Sequence, residues 1–357
     1  MTIRIETPEG EDALTELLQL HDRVYEYRGA CHLEFLPLTL PILTGESPFA
    51  KGRVFRPFLA RDGGQAVARV VASVDGRYHD LWGEKLGHVL LFEAMPGARE
   101  ATKRLMDSAC EWLRDRGMEA ARAGMGMLEL PFVIDDYESL PPLGVRQNPP
   151  YYHSFLKDAG FESEKGWVDY KIRVTPELLA RYENALDAAK ASGFRIVPLG
   201  ELPPARRRKE FAATYNETFR RHWGYSPFTE DDLSLLLDLQ APLGALETSV
   251  VAYRGEEPVG VVWVAPDSSA FARRRAERTI RDDEKLNFLG IGVREVARGR
   301  GVNLAMAAYA YLELVRRGAT WLSYTMVLDD NWPSRRTAEK LGASVCASYL
   351  VYRRSFR

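Results

Sequence analysis

The most informative segment of this chain is Val293-Arg294-Glu295-Val296-Ala297-Arg298-Gly299-Arg300-Gly301-Val302-Asn303. It follows an apolar segment of strand length, residues 286–293, and precedes residues 304–315, whose apolar side chains recur at helical spacing. A helix start preceded by glycines presents unpaired N–H groups and the positive end of the helix dipole, and glycine lets the backbone approach a pyrophosphate closely. The stretch therefore predicts a phosphate-binding loop between a strand and a helix.

Length and composition limit the class of protein. A chain of 357 residues exceeds the size at which single cores stop growing, which favours two domains. A formal net charge of −2 gives no general attraction to nucleic acid or to a membrane surface. No apolar run approaches the length of a transmembrane helix, and the first residues do not form a signal peptide. We therefore expect a cytoplasmic protein without a membrane partner.

The cysteines and histidines give no pattern typical of a metal site. The three cysteines are odd in number and far apart in sequence: Cys31, Cys110 and Cys346. This spacing suggests neither a disulfide framework nor a zinc cluster. No two of the six histidines have the spacing of metal ligands on a helix. We therefore expect no metal cofactor.

Apolar periodicity and turn residues predict an α/β chain of two units, each a mixed (α+β) central sheet flanked by helices. Residues 1–174 form the first predicted domain and residues 194–357 the second. Between them, residues 175–193 predict a linker helix with Thr175 as its N-cap and Pro176 at its first position.

Short strings repeat at matching places in the two units and indicate an internal duplication. Leu113-Arg114-Asp115-Arg116-Gly117 corresponds to Leu314-Val315-Arg316-Arg317-Gly318, and Asn148-Pro149-Pro150 corresponds to Asn331-Trp332-Pro333. The glycine loop does not repeat, because the first copy has Met95-Pro96-Gly97-Ala98 there, with a proline and one glycine. We expect phosphate binding only in the second copy.

The second unit resembles the GNAT superfamily of acyl-CoA N-acyltransferases. The resemblance lies in the pyrophosphate loop, Gln/Arg-x-x-Gly-x-Gly/Ala in the family and Arg298-Gly299-Arg300-Gly301-Val302-Asn303 here, and in a later asparagine-led helix, Asn331-Trp332-Pro333-Ser334. The whole chain resembles a bacterial group of tandem GNAT proteins. Their first copy carries Asn-Pro-Pro-Tyr-Tyr, here residues 148–152, and their second carries Tyr-Asn-Glu and Trp-Gly, here residues 215–217 and 223–224.

The resemblance implies two tandem GNAT-like domains and acetyl-CoA, or another acyl-CoA, as co-substrate. Backbone groups of Ile291, Gly292 and Val293 would hold the pantetheine arm. The amides of residues 298–303 would bind the pyrophosphate, and Asn331 and Ser334 would lie along the same arm. The implied reaction is direct attack of a small-molecule amine on the thioester, which requires a base, an N–H for the oxyanion and an acid for the thiolate.

The sequence departs from the family pattern where the acid and the base would be expected. Residues 286–293 lack the frequent glutamate, the frequent tyrosine of the last helix corresponds to Ala338, and the loop ends in Asn303. The remaining candidates for catalysis are Asp329, Tyr324 and His222, and the candidates for acceptor binding are Asn216 and Trp223. Simpler interpretations exist: a solvated aspartate, a core tyrosine, a histidine packed under a loop, and Asn331 as a helix cap.

Three functions remain open from the sequence. The first is an N-acyltransferase, most simply an acetyltransferase, that acts on a small-molecule amine as a monomer or homodimer. The second is aminoacyl transfer from an aminoacyl-tRNA on the same fold, the one case in which nucleic acid would be a partner. The third is a CoA-binding or regulatory protein without catalysis.

The arginine run Arg273-Arg274-Arg275 could bind an anion, but its pattern is typical of a solvated face.

Overall fold

The computed structural model describes residues 2–356, which comprise the following elements. The strands up to residue 174 are β1 (Ile3–Glu6), β2 (Ala30–Cys31), β3 (Arg53–Asp62), β4 (Gln65–Asp75), β5 (Leu86–Ala94), β6 (Ala120–Ala123), β7 (Phe132–Val133) and β8 (Glu162–Arg173). The helices of this first unit are α1 (Glu11–Val24), α2 (Leu36–Thr44), α3 (Gly76–Trp82), α4 (Arg99–Arg114) and α5 (Tyr152–Asp158).

Helix α6 (Pro176–Ala191) leads into the second unit. The strands that follow are β9 (Phe194–Pro198), β10 (Val250–Arg254), β11 (Glu257–Ala265), β12 (Arg273–Arg274), β13 (Phe288–Val293), β14 (Trp321–Leu328) and β15 (Ser344–Ser355). The helices are α7 (Pro204–Phe219), α8 (Glu230–Gln240), α9 (Ala245–Thr248), α10 (Val302–Arg316) and α11 (Trp332–Lys340).

The strands of residues 2–356 form three sheets. Nine strands make the largest, in the order β1-β3-β4-β5-β6-β15-β8-β14, with β7 beside β15. The second sheet has the order β13-β11-β10-β9, and the third pairs β12 with β2. Pairing is parallel between β5 and β6 and antiparallel elsewhere in these sheets. This mixed architecture, with helices packed on the sheets, confirms the α/β class predicted from the sequence.

The two units exchange strands near their ends. Strand β8 belongs by sequence to the first unit, yet it lies between β15 and β14, with Ile172 opposite Leu322. Strand β15 belongs to the second unit and lies between β6 and β8, with Tyr352 opposite Ala123. We call this arrangement the strand exchange. The predicted boundary near residue 174 therefore separates two stretches of sequence that share one sheet.

Helix α6 packs on the second unit and is not a solvent-exposed linker. The Thr175 side chain accepts a hydrogen bond from the Leu178 N–H at 3.3 Å, so the predicted N-cap is confirmed. The Tyr182 hydroxyl donates to the Leu341 carbonyl at 2.6 Å, and its ring lies 5.7 Å from that of Tyr311 on α10. Helix α10 is thereby enclosed between α6 and the sheet, which agrees with its many buried alanines.

The segment around the arginine run crosses to the first unit. Arg273 pairs with Cys31 in the two-stranded sheet, and its guanidinium donates to the Asp22 carbonyl at 3.0 Å. The Arg275 N–H donates to the Gly29 carbonyl at 2.9 Å. Arg274 and Arg275 are exposed, as a solvated face predicts, whereas Arg273 is half-buried because its guanidinium binds a main-chain carbonyl of the first unit. Within residues 2–356, no helix is long and apolar enough to cross a membrane.

The strand exchange predicts that the two units unfold together. Ile172 of β8 is fully buried, so Ile172→Ala should lower the free energy of unfolding by about 2–5 kcal/mol. Val345 of β15 is 47% exposed, and the matched change Val345→Ala should cost about 0.5 kcal/mol or less. Urea unfolding followed by tryptophan fluorescence and by circular dichroism should give one shared transition for each protein. Two separate transitions, with only one moved by Ile172→Ala, would contradict the prediction.

Candidate active site

The glycine loop has the geometry of an anion site at a helix start. Gly299 and Gly301 have φ of 75° and 80°, values that side-chain-bearing residues rarely adopt. The Ala305 N–H donates to the Gly301 carbonyl at 3.0 Å, so the amides of residues 302–304 precede the first helical hydrogen bond. A Cβ at either glycine would meet no atom within 4 Å, so the space beside the loop is open. Backbone N–H groups there can bind a phosphate.

The side chains of the loop hold it in place. The Arg298 guanidinium donates to the Val293 carbonyl at 3.2 Å, while Arg300 is exposed. The Asn303 amide donates to the Thr337 hydroxyl at 3.0 Å, which joins α10 to α11. Val302 is buried. Asn303 stands where the family pattern has a small residue. Its side chain links α10 to α11 and does not cover the backbone N–H groups of the loop.

Strands β13 and β14 are neighbours that are bridged by side chains. The Leu289 N–H donates to the Thr325 hydroxyl at 2.9 Å, and the Asn287 amide donates to the Ser323 carbonyl at 3.1 Å. Within the described residues, β13 pairs as a strand only with β11. Residues 290–293 therefore have a backbone edge without a strand partner, and Ile291 on this edge lines a cavity.

Glycines in β13 let α7 pack closely beside this edge. A Cβ on Gly292 would collide with the side chain of Thr218, which lies on α7. A Cβ on Gly290 would come within 3.4 Å of the Tyr215 hydroxyl. The glycines of β13 thus bring the C-terminal half of α7 and the loop after it to the cavity.

The cavity has a volume of about 920 Å³ and is walled by both units. The second unit contributes Ile291, Tyr324, Ser334 and Asn331 at the edge described above, together with aromatic side chains of α7 and its loop. The first unit contributes β5 and residues 125–131 and 143–147. A volume of this size holds a small organic molecule together with the reactive end of a second one.

A bulge in β14 shapes the wall next to Tyr324. The register of β14 against β8 shifts between Tyr324 and Val327, and Met326 has a φ of 52°. Asp169 of β8 holds the bulge: it accepts the Met326 N–H at 2.5 Å and the Tyr349 hydroxyl at 3.0 Å. Burial raises the pKa of Asp169 to about 7.

Tyr324 and Ser334 form a pair of hydroxyls at the cavity. Their oxygens are 3.0 Å apart. Burial raises the pKa of Tyr324 to about 12, so the phenol stays protonated at neutral pH. The Asn331 side chain accepts the Ser334 N–H at 3.3 Å, which makes it the N-cap of α11 as well as part of the cavity wall. The structure thus brings three of the predicted residues together.

His222 faces the cavity from the loop after α7. Its ring lies 5.3 Å from that of Trp167 and 5.6 Å from that of Phe219. Burial lowers the pKa of His222 to about 4, so the imidazole is neutral at pH 7 and can accept a proton.

Three of the five residues predicted for catalysis and acceptor binding lie outside the lining of the cavity. Asp329 is exposed at the end of β14. The Asn216 side chain binds its own loop: its amide donates to the Phe228 carbonyl at 2.8 Å, and its oxygen accepts from Tyr225 at 2.5 Å. The Trp223 ring packs 4.3 Å from the guanidinium of Arg122. Asn216 and Trp223 therefore shape the loop and do not reach the space where an acceptor could lie.

Five charged residues that line the cavity were not found from the sequence: Glu34, Arg69, Glu93, Glu129 and Arg146. They come from five separate segments of the first unit and have no recognisable spacing. One feature of the sequence could have indicated them: a charged residue within an apolar strand is unusual, and Arg69 in β4 and Glu93 in β5 are of this kind. Among residues 2–356, no group of three or more His, Cys, Asp or Glu side chains could hold a metal ion.

Comparison by sequence finds a distant curated relative. No protein-family model matches the chain. Protein YghO of Escherichia coli (strain K12) is 18% identical over 199 residues, which are 55% of this chain and 51% of YghO. The chain thus spans about half the length of this curated relative.

Solved structures match nearly the whole chain. A GCN5-related glucosamine N-acetyltransferase region of a fungal multi-domain β-N-acetylglucosaminidase is 19% identical, with a TM-score of 0.59, over 99% of this chain and 38% of that chain. A tandem GNAT protein from the clavulanic acid biosynthesis pathway is 12% identical, with a TM-score of 0.58, over 99% of this chain and 98% of that one. A GCN5-related N-acetyltransferase from Sphaerobacter thermophilus is 15% identical, with a TM-score of 0.55, over 99% and 96%. The chain has a tandem GNAT fold, and the resemblance seen in the sequence is confirmed for the fold.

The raised pKa of Asp169 predicts a pH-dependent contribution to stability. The folded chain favours the protonated form, so this contribution is full below the ordinary aspartate pKa of about 4 and is lost as the pH rises through about 7. The free energy of unfolding of the wild type, relative to Asp169→Asn, should therefore fall by up to about 4 kcal/mol between pH 4 and pH 7. Urea titrations of both proteins at several pH values measure it, and a difference that does not change with pH would refute it.

Proposed function

We propose that the protein is an N-acyltransferase that transfers an acyl group, most simply acetyl, from acyl-CoA to an amine of a small molecule. The observation that carries the proposal is the continuity of three features: the open glycine loop, the unpaired edge of β13 at residues 290–293, and the cavity into which Ile291 projects. A long donor with a phosphorylated end and a reactive end requires this arrangement, because its phosphates and its thioester must be held far apart.

The residues fit the parts of such a donor in order. The amides of residues 299–304 suit the pyrophosphate, and the edge of β13 suits the amide groups of the pantetheine arm. Asn331 and Ser334 stand on the opposite side of the same gap, on α11. Two of the structural neighbours named above are called N-acetyltransferases and one a tandem GNAT protein, which supports acetyl as the acyl group.

The reaction needs one proton acceptor and one proton donor. The acceptor nitrogen attacks the thioester carbonyl, a C–N bond forms, the C–S bond breaks, and the thiolate takes up a proton. His222 can accept a proton from the attacking amine because its imidazole is neutral at pH 7. Tyr324 can donate to the thiolate because its phenol is protonated and hydrogen-bonded to Ser334.

The corresponding edge in the first unit supports assigning the donor to the second unit alone. Leu91 of β5 has a φ of 52°, and its N–H donates to the Glu129 carboxylate at 3.1 Å. Arg146 binds the neighbouring Phe92 carbonyl. Side chains of the protein thus fill the place where the second unit leaves its strand edge open.

A change in the glycine loop tests the donor. Gly301→Val should weaken binding of acetyl-CoA at least tenfold, because the Cβ and its methyl groups enter the space beside the free amides and the backbone must leave its positive φ. Isothermal titration calorimetry with acetyl-CoA measures the effect.

Gly97→Val is the matched control for this test. Gly97 begins the corresponding loop of the first unit, has a φ of 83° and has equal open space around it. Its replacement should leave acetyl-CoA affinity unchanged at a similar cost in stability. Absence of binding in the wild type, or equal affinity in Gly301→Val and the wild type, would exclude an acyl-CoA donor and favour aminoacyl-tRNA.

Changes at the hydroxyl pair and the histidine test the chemistry. Tyr324→Phe and His222→Gln should each lower kcat about 10²-fold or more while acetyl-CoA affinity stays within about twofold, because each removes a proton-transfer group. Release of free thiol from acetyl-CoA in the presence of a broad panel of amines measures turnover.

Asp329→Asn is the control and should keep full activity, since its carboxylate is exposed outside the cavity. Donor binding without turnover of any amine would favour the non-catalytic alternative.

A further inference from the structure

Charge is distributed unequally over the walls of the cavity. All five charged side chains that line it come from the first unit: Glu34, Arg69, Glu93, Glu129 and Arg146. Within residues 2–356, the wall from the second unit contains no Asp, Glu, Lys or Arg. The wall from the second unit is therefore free of formally charged side chains, and all formal charges of the lining belong to the first unit.

One carboxylate in this group lacks a cation of its own. Arg69 pairs with Glu34 at 2.6 Å, and Arg146 pairs with Glu129. Three carboxylates thus face two guanidiniums, and Glu93 is the surplus group, because its nearest cation is Arg146 at 3.7 Å. The Glu93 carboxylate accepts the Tyr152 hydroxyl at 2.7 Å. Burial and the charge of Glu93 hold the pKa of Tyr152 far above its ordinary value, so this hydroxyl remains a donor.

A buried surplus carboxylate lowers stability unless a cation compensates it. Among residues 2–356, no lysine or further arginine lines the cavity to do so. A ligand with positive charge would balance Glu93 and would be attracted into the cavity by it.

Unpaired donors in the cavity wall point to a ligand independently. Trp167 is 2% exposed, and its Nε1–H has no partner among the described residues. The Ser268 hydroxyl and the Nε–H of Arg146 are likewise buried without partners, and all three residues line the cavity. Buried donors normally have partners, so these three N–H or O–H groups fit ordered water that fills the cavity beside a bound molecule, and they leave the carboxylates to its cationic groups. Aromatic side chains such as Phe228 and Trp263 surround the rest of the space.

We propose that the first unit binds the non-reacting end of the acceptor and that the acceptor carries two cationic groups. One amine reaches the thioester beside Ile291 and is acylated. The second group, an ammonium or guanidinium, pairs with Glu93, keeps its protons and stays unmodified. The apolar lining between these ends suits a carbon skeleton. This inference rests on the proposed acyltransferase function and names its substrate class: an amphipathic diamine.

Matched substrates and one isosteric variant test the inference. Diaminohexane and hexylamine share a carbon chain and differ in the second amine. The wild type should acylate diaminohexane with a kcat/KM at least about tenfold above that of hexylamine, because only the diamine balances Glu93. Glu93→Gln should abolish this preference by lowering kcat/KM for diaminohexane while the value for hexylamine stays within about twofold.

Glu84→Gln is the matched control. Glu84 also accepts a tyrosine hydroxyl, Tyr78 at 2.7 Å, and faces an arginine, Arg353 at 2.6 Å, but it lies outside the cavity. This variant should keep the wild-type preference. Equal kcat/KM for both amines in the wild type, or a preference that survives Glu93→Gln, would overturn the inference and leave the acyltransferase proposal intact.

A binding measurement tests the cation site even if the protein acylates no amine. Calorimetry with diaminohexane and without acetyl-CoA should show binding to the wild type and to Glu84→Gln, and at least about tenfold weaker binding to Glu93→Gln. This result would support the cation site even if the acyltransferase proposal failed. Absence of diaminohexane binding to the wild type would overturn it. A thermal unfolding midpoint of Glu93→Gln equal to or above that of the wild type, as expected when a surplus charge is removed, shows that its loss of binding is local.

Discussion

The backbone hydrogen bonds of the strand exchange hold the two units together in one sheet. A strand edge must be paired or solvated, and β14 finds its partner in β8 of the other unit. The same strand, through Asp169, holds the bulge that places Tyr324 to Met326 at the cavity. The pairing thus fixes both the relation of the two units and the local shape of one wall. A cavity with two different walls follows directly from it.

Much of the fold could be predicted because its signals are local. Glycine at positive φ, proline after a capping threonine, and apolar periodicity act within a few residues, and each predicted an element that the structure contains at nearly the same bounds. The glycine loop belongs to this group, because Gly299 and Gly301 need only their own backbone angles to be recognised. The hydroxyl of Tyr324 and the ring of His222 also reached the cavity, although no sequence signal distinguished them from core residues.

The rest depended on contacts between distant residues. Apolar alternation in β8 and β15 fits either unit equally, so the pattern cannot specify which sheet each strand enters. Glu34, Glu93 and Arg146 lie far apart along the chain and meet only because β4, β5 and the loops around them converge on one cavity. Asn216 matched a family string, yet its amide satisfies the backbone of its own loop. Arg273 appeared solvated because its partner carbonyl lies 251 residues away.

The reciprocal pairing of β8 and β15 has a consequence for how such a chain can evolve. Deletion of one unit of a tandem fold is tolerated only if the strands of the other unit keep their partners. Here deletion of residues before 174 would remove β6, β7 and β8, expose the edge of β14 and leave β15 without any of its three strand partners. The need for this strand is by itself a sufficient reason to retain the first copy, whatever its side chains bind. A copy retained for mechanical reasons is free to change its side chains, and the charged residues now facing the cavity lie in that copy.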